Sequence, residues 1–187
     1  MAKLKKIDRV SRGAYLNKYE LTYCTEDGKL KSYEMVSHDP KLTAETIGQE
    51  KTAVVLVVYN RDHTKMLFGR EFRMGVNDYV INNIAGFIDP GETVQEAAAR
   101  ELQEETGLEL TRVIATLPFS FTCPPVTDMT AALVICEAKG TLKDSDNPDE
   151  EIHPVWYSKE MLKVFLGNPM TKFSGRAQAI AYFWANS

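Results

Sequence analysis

The stretch from Gly86 to Leu110, GFIDPGETVQEAAARELQEETGLEL, holds a helix start, a helix stop and an excess of acid within a few turns. Thr93 is followed three residues later by Glu96, the pattern of a capping box in which hydroxyl and carboxylate each take one orphan backbone N–H. AAARELQEE is rich in strong helix formers, and Gly107 supplies the left-handed residue that ends a helix. The spacing predicts a helix over 93–106, with Val94, Ala97, Ala98 and Leu102 on its packing side. Glu101, Glu104 and Glu105 fall at i, i+3 and i+4, so their carboxylates share one face and repel. Arg100 offsets part of that repulsion, but the acids occupy the half of the helix whose dipole favours cations. Two explanations stand: a solvated helix face, or a cluster that holds a divalent cation. Hard cations such as Mg²⁺ take oxygen ligands and share their shell with substrate phosphates.

The rest of the chain narrows the classes. Its 187 residues fit one domain with a small appendage. A formal charge of −4 leaves no clustered basic surface, so nucleic acid is not an expected partner. The basic start MAKLKKIDR has no apolar core after it and does not read as a signal peptide. No apolar run approaches the length of about 18 residues that spans a membrane. Cys24, Cys123 and Cys136, like His38, His63 and His153, are scattered. They fit reduced thiols in a cytoplasmic protein and not a transition-metal site.

Extended segments dominate the first half. YLNKYELTYCT and LKSYEMVSH flank the turn signal EDGK and predict a hairpin over 15–38. TAVVLVVYN is a β-branched run typical of a buried strand, and MLFGREFR returns after the turn NRDHTK. DYVINNIAGF is extended, RVIATLPFSF and TAALVICEA are two strands around TCPPVTDM, and KGTLKDSDNPDEE is an acidic loop. HPVWYS follows as a strand, then KEMLKVFLG and GRAQAIAYFWAN as helices. This order predicts an α+β domain with a mixed sheet packed between helices. A hairpin is marginal alone, so residues 1–45 must pack on their own domain or on a second copy of the chain. Tyr15, Tyr19, Tyr23 and Tyr33 suit an interface, which favours a dimerisation element. Met161, Leu162 and Phe165 read as one packing face, and Trp156, Phe183 and Trp184 as core.

Written with its spacing, the acidic stretch is Gly86, five residues, Glu92, seven residues, Arg100-Glu101-Leu102, one residue, Glu104-Glu105, one residue, Gly107-Leu108. This resembles a complete Nudix box, with every defining position filled. The resemblance implies an α/β/α sandwich, a catalytic domain over 46–187 and hydrolysis of a nucleoside diphosphate derivative with Mg²⁺, for which Mn²⁺ can substitute. It implies Glu101 and Glu105 as leading metal ligands, with Glu104 and the Ala85 carbonyl beside them. Glu92 and Arg100 would orient the ligand carboxylates, and Gly86 and Gly91 would shape the loop that enters the helix.

More of the chain is similar to the ADP-ribose pyrophosphatase branch. LFGREFRMGVNDYVINNIAGFIDPGE resembles its arginine-bearing strand and the segment before the box, which implies that Arg73, and after it Arg70, binds substrate phosphates. TCPPVTD lies where the branch has a proline-containing loop, with Pro124 at the matching position. SYEMVSH resembles the strand whose aromatic stacks on the base, which points to Tyr33. The general base is implied in the loop before HPVWYS, at Glu150 or its neighbour Glu151, with a mobile acidic loop as the alternative there. In that branch the N-terminal strands exchange between two subunits, which implies a homodimer. Two departures stand out: Asn82 where the branch carries a glutamate, and His38 where it carries an arginine. They leave a GDP- or UDP-sugar as the alternative to ADP-ribose. A non-catalytic ligand sensor of the same fold, which often loses box acids, and an oxidised-nucleotide sanitiser complete the alternatives.

Overall fold

The computed structural model describes residues 1–145, 147 and 150–187, so part of the acidic loop read over 139–151 lies outside the described residues. The chain divides into two compact units, Met1–Ala53 with Phe119–Ala131 and Val54–Pro118 with Ala132–Ser187.

The first unit is built on a three-stranded antiparallel sheet of β1 (Lys3–Arg12), β2 (Asn17–Cys24) and β3 (Leu30–Ser37). The expected hairpin is β2–β3, turned at Gly28, whose φ of 79° suits glycine. The basic start adds a strand that sequence alone did not reveal. β1 is exposed or half-buried throughout and is interrupted by two register shifts against β2, so it lacks the alternation that marks a strand. Tyr19, Leu21, Met35 and Leu42 form this unit's core. Tyr19 is thus packing and not interface: its hydroxyl donates to Asp39 O at 2.7 Å and accepts from Leu42 N at 3.3 Å. Tyr15 remains exposed.

The second unit carries the sheet of β4 (Ala53–Tyr59), β5 (Lys65–Arg73), β6 (Asp78–Asn82), β7 (Ala85–Phe87), β8 (Glu109–Phe121), β9 (Thr130–Lys139) and β10 (Ile152–Ser158). The strand order is β10-β5-β4-β9-β8, with β6 on β5 and β7 on β4. Helix α1 (Val94–Thr106) packs Ala97, Ala98 and Leu102 with Val54, Leu56 and Val58. Helices α2 (Lys159–Gly167) and α3 (Gly175–Ala185) pack Leu162, Ala177, Ala181 and Ala185 with Val57, Met66 and Phe68. Successive residues of β4 therefore feed opposite layers, as strand geometry demands, and the expected α/β/α sandwich is present. Two packing assignments need correction. Phe183 is exposed, because α3 turns its alanines at i, i+4 and i+8 inward, and Met161 is exposed beside the buried Leu162. Trp156 and Trp184 are half-buried against the two cores.

The local feature that shapes the site is a split in the sheet. β4 and β5 pair only at Val58↔Leu67 and Tyr59↔Met66. Beyond that point the chain of β6 and β7 enters between them. β6 takes the edge of β5 from Gly69↔Asn82 to Arg73↔Asp78, and β7 takes that of β4. At the crossover Leu56 N donates to Ile84 O at 2.9 Å and Asn83 Nδ2 donates to Leu56 O at 3.2 Å, so an amide side chain replaces a ladder bond. Ala85 and Gly86 are thereby fixed next to α1. Leu102, fully buried between α1 and the sheet, holds this layer in place. Leu102→Ala is expected to cost about 2–5 kcal/mol of stability, read as a fall in the denaturation midpoint.

Candidate active site

Both ends of α1 are built as the sequence indicates. Thr93 Oγ1 accepts from Glu96 N at 3.2 Å, Glu96 Oε2 accepts from Thr93 N at 2.8 Å, and Gly107 closes the helix with a φ of 71°. Arg100 then ties the helix to the loop before it. Its Nε and Nη2 grip the two oxygens of Glu92 at 2.8 and 2.9 Å, and Nη2 also donates to Phe87 O at 2.8 Å. Nη1 reaches Glu101 at 2.8 Å and Glu104 at 3.1 Å. Hydrogen bonds from Arg100 and from the Asp89 N–H hold the Glu92 carboxyl down at about 2.

Glu101 and Glu105 are buried, at 9% and 6% exposure, whereas Glu104 is open to solvent. Gly86 has no side chain because the Glu101 carboxylate stands there: a Cβ on Gly86 would overlap it. Glu105 has acids for neighbours. Burial first, then the charges of Glu101, Glu71 and Glu150, push its carboxyl up to about 9, against a hydrogen bond from the Ala85 backbone. Ala85 thus presents its N–H to Glu105, whereas the resemblance implied a role for its carbonyl. Glu101 is likewise raised, by burial above all.

These acids line a cleft of about 410 Å³ with Ser145, Asn147 and Glu150. Nearby, Lys143 N donates to Thr106 O at 2.9 Å and Ser145 N to Ile152 O at 3.2 Å. Glu151 points elsewhere, accepting from the Tyr79 hydroxyl and lying 3.6 Å from His153 Nε2. Among the described residues no three acids already converge at metal-ligand spacing. The donor set nonetheless fits a hard cation. Glu105 is a buried carboxylate that Arg100 does not reach, and such a charge needs a positive partner or a proton.

Strand alternation separates the two arginines of β5. Arg73 and Glu71 project to the same side, 3.0 Å apart, where Glu71 also accepts from Asn82 Nδ2 at 3.0 Å. Arg70 lies over the Tyr79 ring at 3.8 Å from its centroid. In the first unit Tyr33 and Pro124 line one hollow of about 230 Å³ with Leu21, Met35, Phe121 and Asp128, and the Tyr33 hydroxyl donates to Pro125 O at 2.5 Å. His38 lies in a different hollow, of about 10 Å³, which is room for a single water. Glu71 was not legible as a neighbour of these groups. Its place depends on the β5–β6 register, although the period-2 spacing of Glu71 and Arg73 was visible.

The pattern that defines the NUDIX domain family matches residues 49–182. The chain belongs to that family, the Nudix hydrolases, whose members generally use divalent metal ions. It is 25% identical over 157 residues, 84% of its length, to putative nudix hydrolase 2 of Caenorhabditis elegans. It is 31% identical over 69% of its length to the NAD-capped RNA hydrolase NUDT12 of Pongo abelii, and 33% identical over 52% to the ADP-sugar pyrophosphatase of Mus musculus. The matches span 68%, 27% and 44% of those relatives' own lengths. A crystal structure of an ADP compounds hydrolase shares the fold, with a TM-score of 0.74 at 22% identity over 99% of this chain and 92% of that one. No helix among the described residues is long and apolar enough to cross a membrane.

A raised carboxyl has a definite stability signature. Between the ordinary value of 4.5 and about 9, folded Glu105 keeps a proton that the unfolded chain has released. Without divalent cation, stability therefore falls as pH rises through that window. Glu105→Gln is expected to remove the slope and to be more stable than wild type at pH 8 by about 1 kcal/mol or more, roughly 2–4 °C in Tm. Chelator-treated protein unfolded at pH 5 to 9 checks this, and parallel curves for the two proteins would contradict it.

Proposed function

We propose that this chain hydrolyses the diphosphate bond of a nucleoside diphosphate sugar, ADP-ribose first among them, giving AMP and ribose 5-phosphate. One observation carries this: Glu101, Glu104, Glu105 and Glu150 line a single cleft, and the buried Glu105 there lacks a cationic partner among the described residues. Relatives named for ADP-sugar and NAD-capped RNA hydrolysis support a substrate with a nucleoside diphosphate core.

Glu101, Glu104 and Glu105 would hold Mg²⁺, or Mn²⁺ in its place, with the Ala85 carbonyl as a further oxygen. When bound, such an ion neutralises diphosphate charge and lowers the pKa of a coordinated water. Glu150 takes the proton of the attacking water. The water oxygen bonds to one phosphorus as the bridging P–O bond breaks, and the electron pair leaves with the other phosphate. Arg73 binds phosphate oxygens by charge-assisted hydrogen bonds. Arg70, engaged with Tyr79, contributes less. Tyr33 and Pro124 receive the base, and His38 acts only from the edge. Arg100 and Glu92 keep Glu101 and Glu104 oriented. Residues 1–45 serve as the dimerisation element of a homodimer.

The NAD-capped RNA hydrolase relatives favour a second reading, in which the group beyond the diphosphate is a nucleoside. Phosphate release, coupled to a phosphatase and measured with Mg²⁺ on ADP-ribose, GDP- and UDP-sugars, NAD and nucleoside triphosphates, separates the two. ADP-ribose is expected to have the highest kcat/KM. A preference for NAD would select the second reading, and tight binding without turnover would indicate a ligand sensor. Within the site, Glu150→Gln is expected to lower kcat by about 10²–10⁴. Glu151→Gln, whose carboxylate meets Tyr79 and His153, should cost less than about tenfold. The reverse order would move the base to Glu151.

A further inference from the structure

The N-terminal end of α3 is tied to the candidate site through side chains that the proposed chemistry does not use. Ser174 caps the helix by accepting from Ala177 N, and its hydroxyl donates to Asn82 Oδ1 at 2.7 Å. Asn82 donates in turn to Glu71, and Glu71 holds Arg73. The backbone follows the same line, with Ile81 N donating to Lys172 O at 2.8 Å and Ser174 N to Ile81 O at 3.0 Å. Arg176 stands two residues past this cap, on the first turn of α3.

Among the described residues Arg176 has no hydrogen bond or carboxylate partner. The residue as a whole is exposed, yet protein atoms crowd its guanidinium and lower its pKa, and the like charge of Arg73 lowers it further. Glu71 is ion-paired with Arg73, and among the described residues no carboxylate pairs with Arg176. Glu71 also faces Glu105 electrostatically. The hydrogen-bonded line Ser174–Asn82–Glu71 brings the first turn of α3 to the strand that carries Arg73. Two arginines with a single acid, Glu71, to neutralise them keep a net positive charge and N–H donors that match the fork geometry of phosphate oxygens.

We infer that Arg176 and Arg73 form a two-arginine anion subsite beside the acidic cleft, which takes a phosphate group of the diphosphate substrate. This rests on the proposed function for the substrate's identity, but not for the existence of the subsite. Helix α3 then becomes part of substrate recognition, with Ser174, Asn82 and Glu71 positioning the arginines.

The test is calorimetric titration of the full chain with inorganic pyrophosphate, with Mg²⁺ and separately with chelator. Arg176→Ala is expected to weaken binding about tenfold, as loss of a charge-assisted contact does. Arg176→Lys should recover part of it, because the charge remains and the planar fork is lost. Lys163→Ala, a charge removed from α2, should leave binding unchanged. Pyrophosphate binding by Arg176→Ala within twofold of wild type would overturn the inference. So would equal losses in Arg176→Ala and Lys163→Ala, or no binding by wild type at millimolar concentration. Binding that depends on Arg176 in a protein that hydrolyses nothing on the substrate panel would keep the subsite and remove the proposed hydrolase.

Discussion

Arg100 is the interaction on which the rest of the site depends. One guanidinium holds both oxygens of Glu92, the carbonyl of Phe87 and the carboxylates of Glu101 and Glu104. It thus joins the loop entering α1 to the face of α1 that carries the acids. Arginine suits this task because its planar fork presents several donors at once and stays charged. The grip on Glu92 fixes where the guanidinium sits, and the position of Glu101 follows. Glu101 can occupy that position because Gly86 leaves the space empty. The split between β4 and β5 is what brings Gly86 there.

What Arg100 does not reach matters as much. Its reach ends at Glu101 and Glu104, and Glu105 is left one helical step further, buried among acids. A site optimised only for folding would neutralise or replace such a group, since a buried charge without a partner is costly. Among the described residues no cation faces Glu105, and the proposed metal would be the positive charge it lacks. On the proposed chemistry that imbalance ties folding energetics to function: the stability given up by burying Glu105 would be returned as affinity for a cation.

Helix α1 was legible in the sequence because its determinants are local: a capping box, a terminating glycine and a periodic apolar face, all within fifteen residues or so. The sandwich followed from the order of elements, and the shared cleft of Glu101, Glu104 and Glu105 from helical spacing. What stayed hidden depended on partners distant in the chain. β1 has no pattern of its own and exists because β2 offers it an edge. Phe183 and Met161 are exposed despite their apolar type, because α3 packs through alanine and α2 through Leu162. Glu150 and Glu151 could not be separated by a list of neighbours. Glu151 runs on into β10 with its side chain toward His153 and Tyr79, while Glu150 faces the cleft. The joining of Glu71, Asn82 and Ser174 required the register of β5 on β6.

The departure at Asn82 has a physical account in that register. Asn82 uses both ends of its amide, donating to Glu71 and accepting from Ser174. A glutamate at 82 would set a second carboxylate against Glu71 and would lose the amide donor, leaving two like charges in a half-buried place. Glu71 and Asn82 are diagonal neighbours on one face of the β5–β6 pair, so a carboxylate on either strand can occupy the same region. Asn82 therefore leaves Glu71 as the acid of this face, hydrogen-bonded to the amide and ion-paired with Arg73.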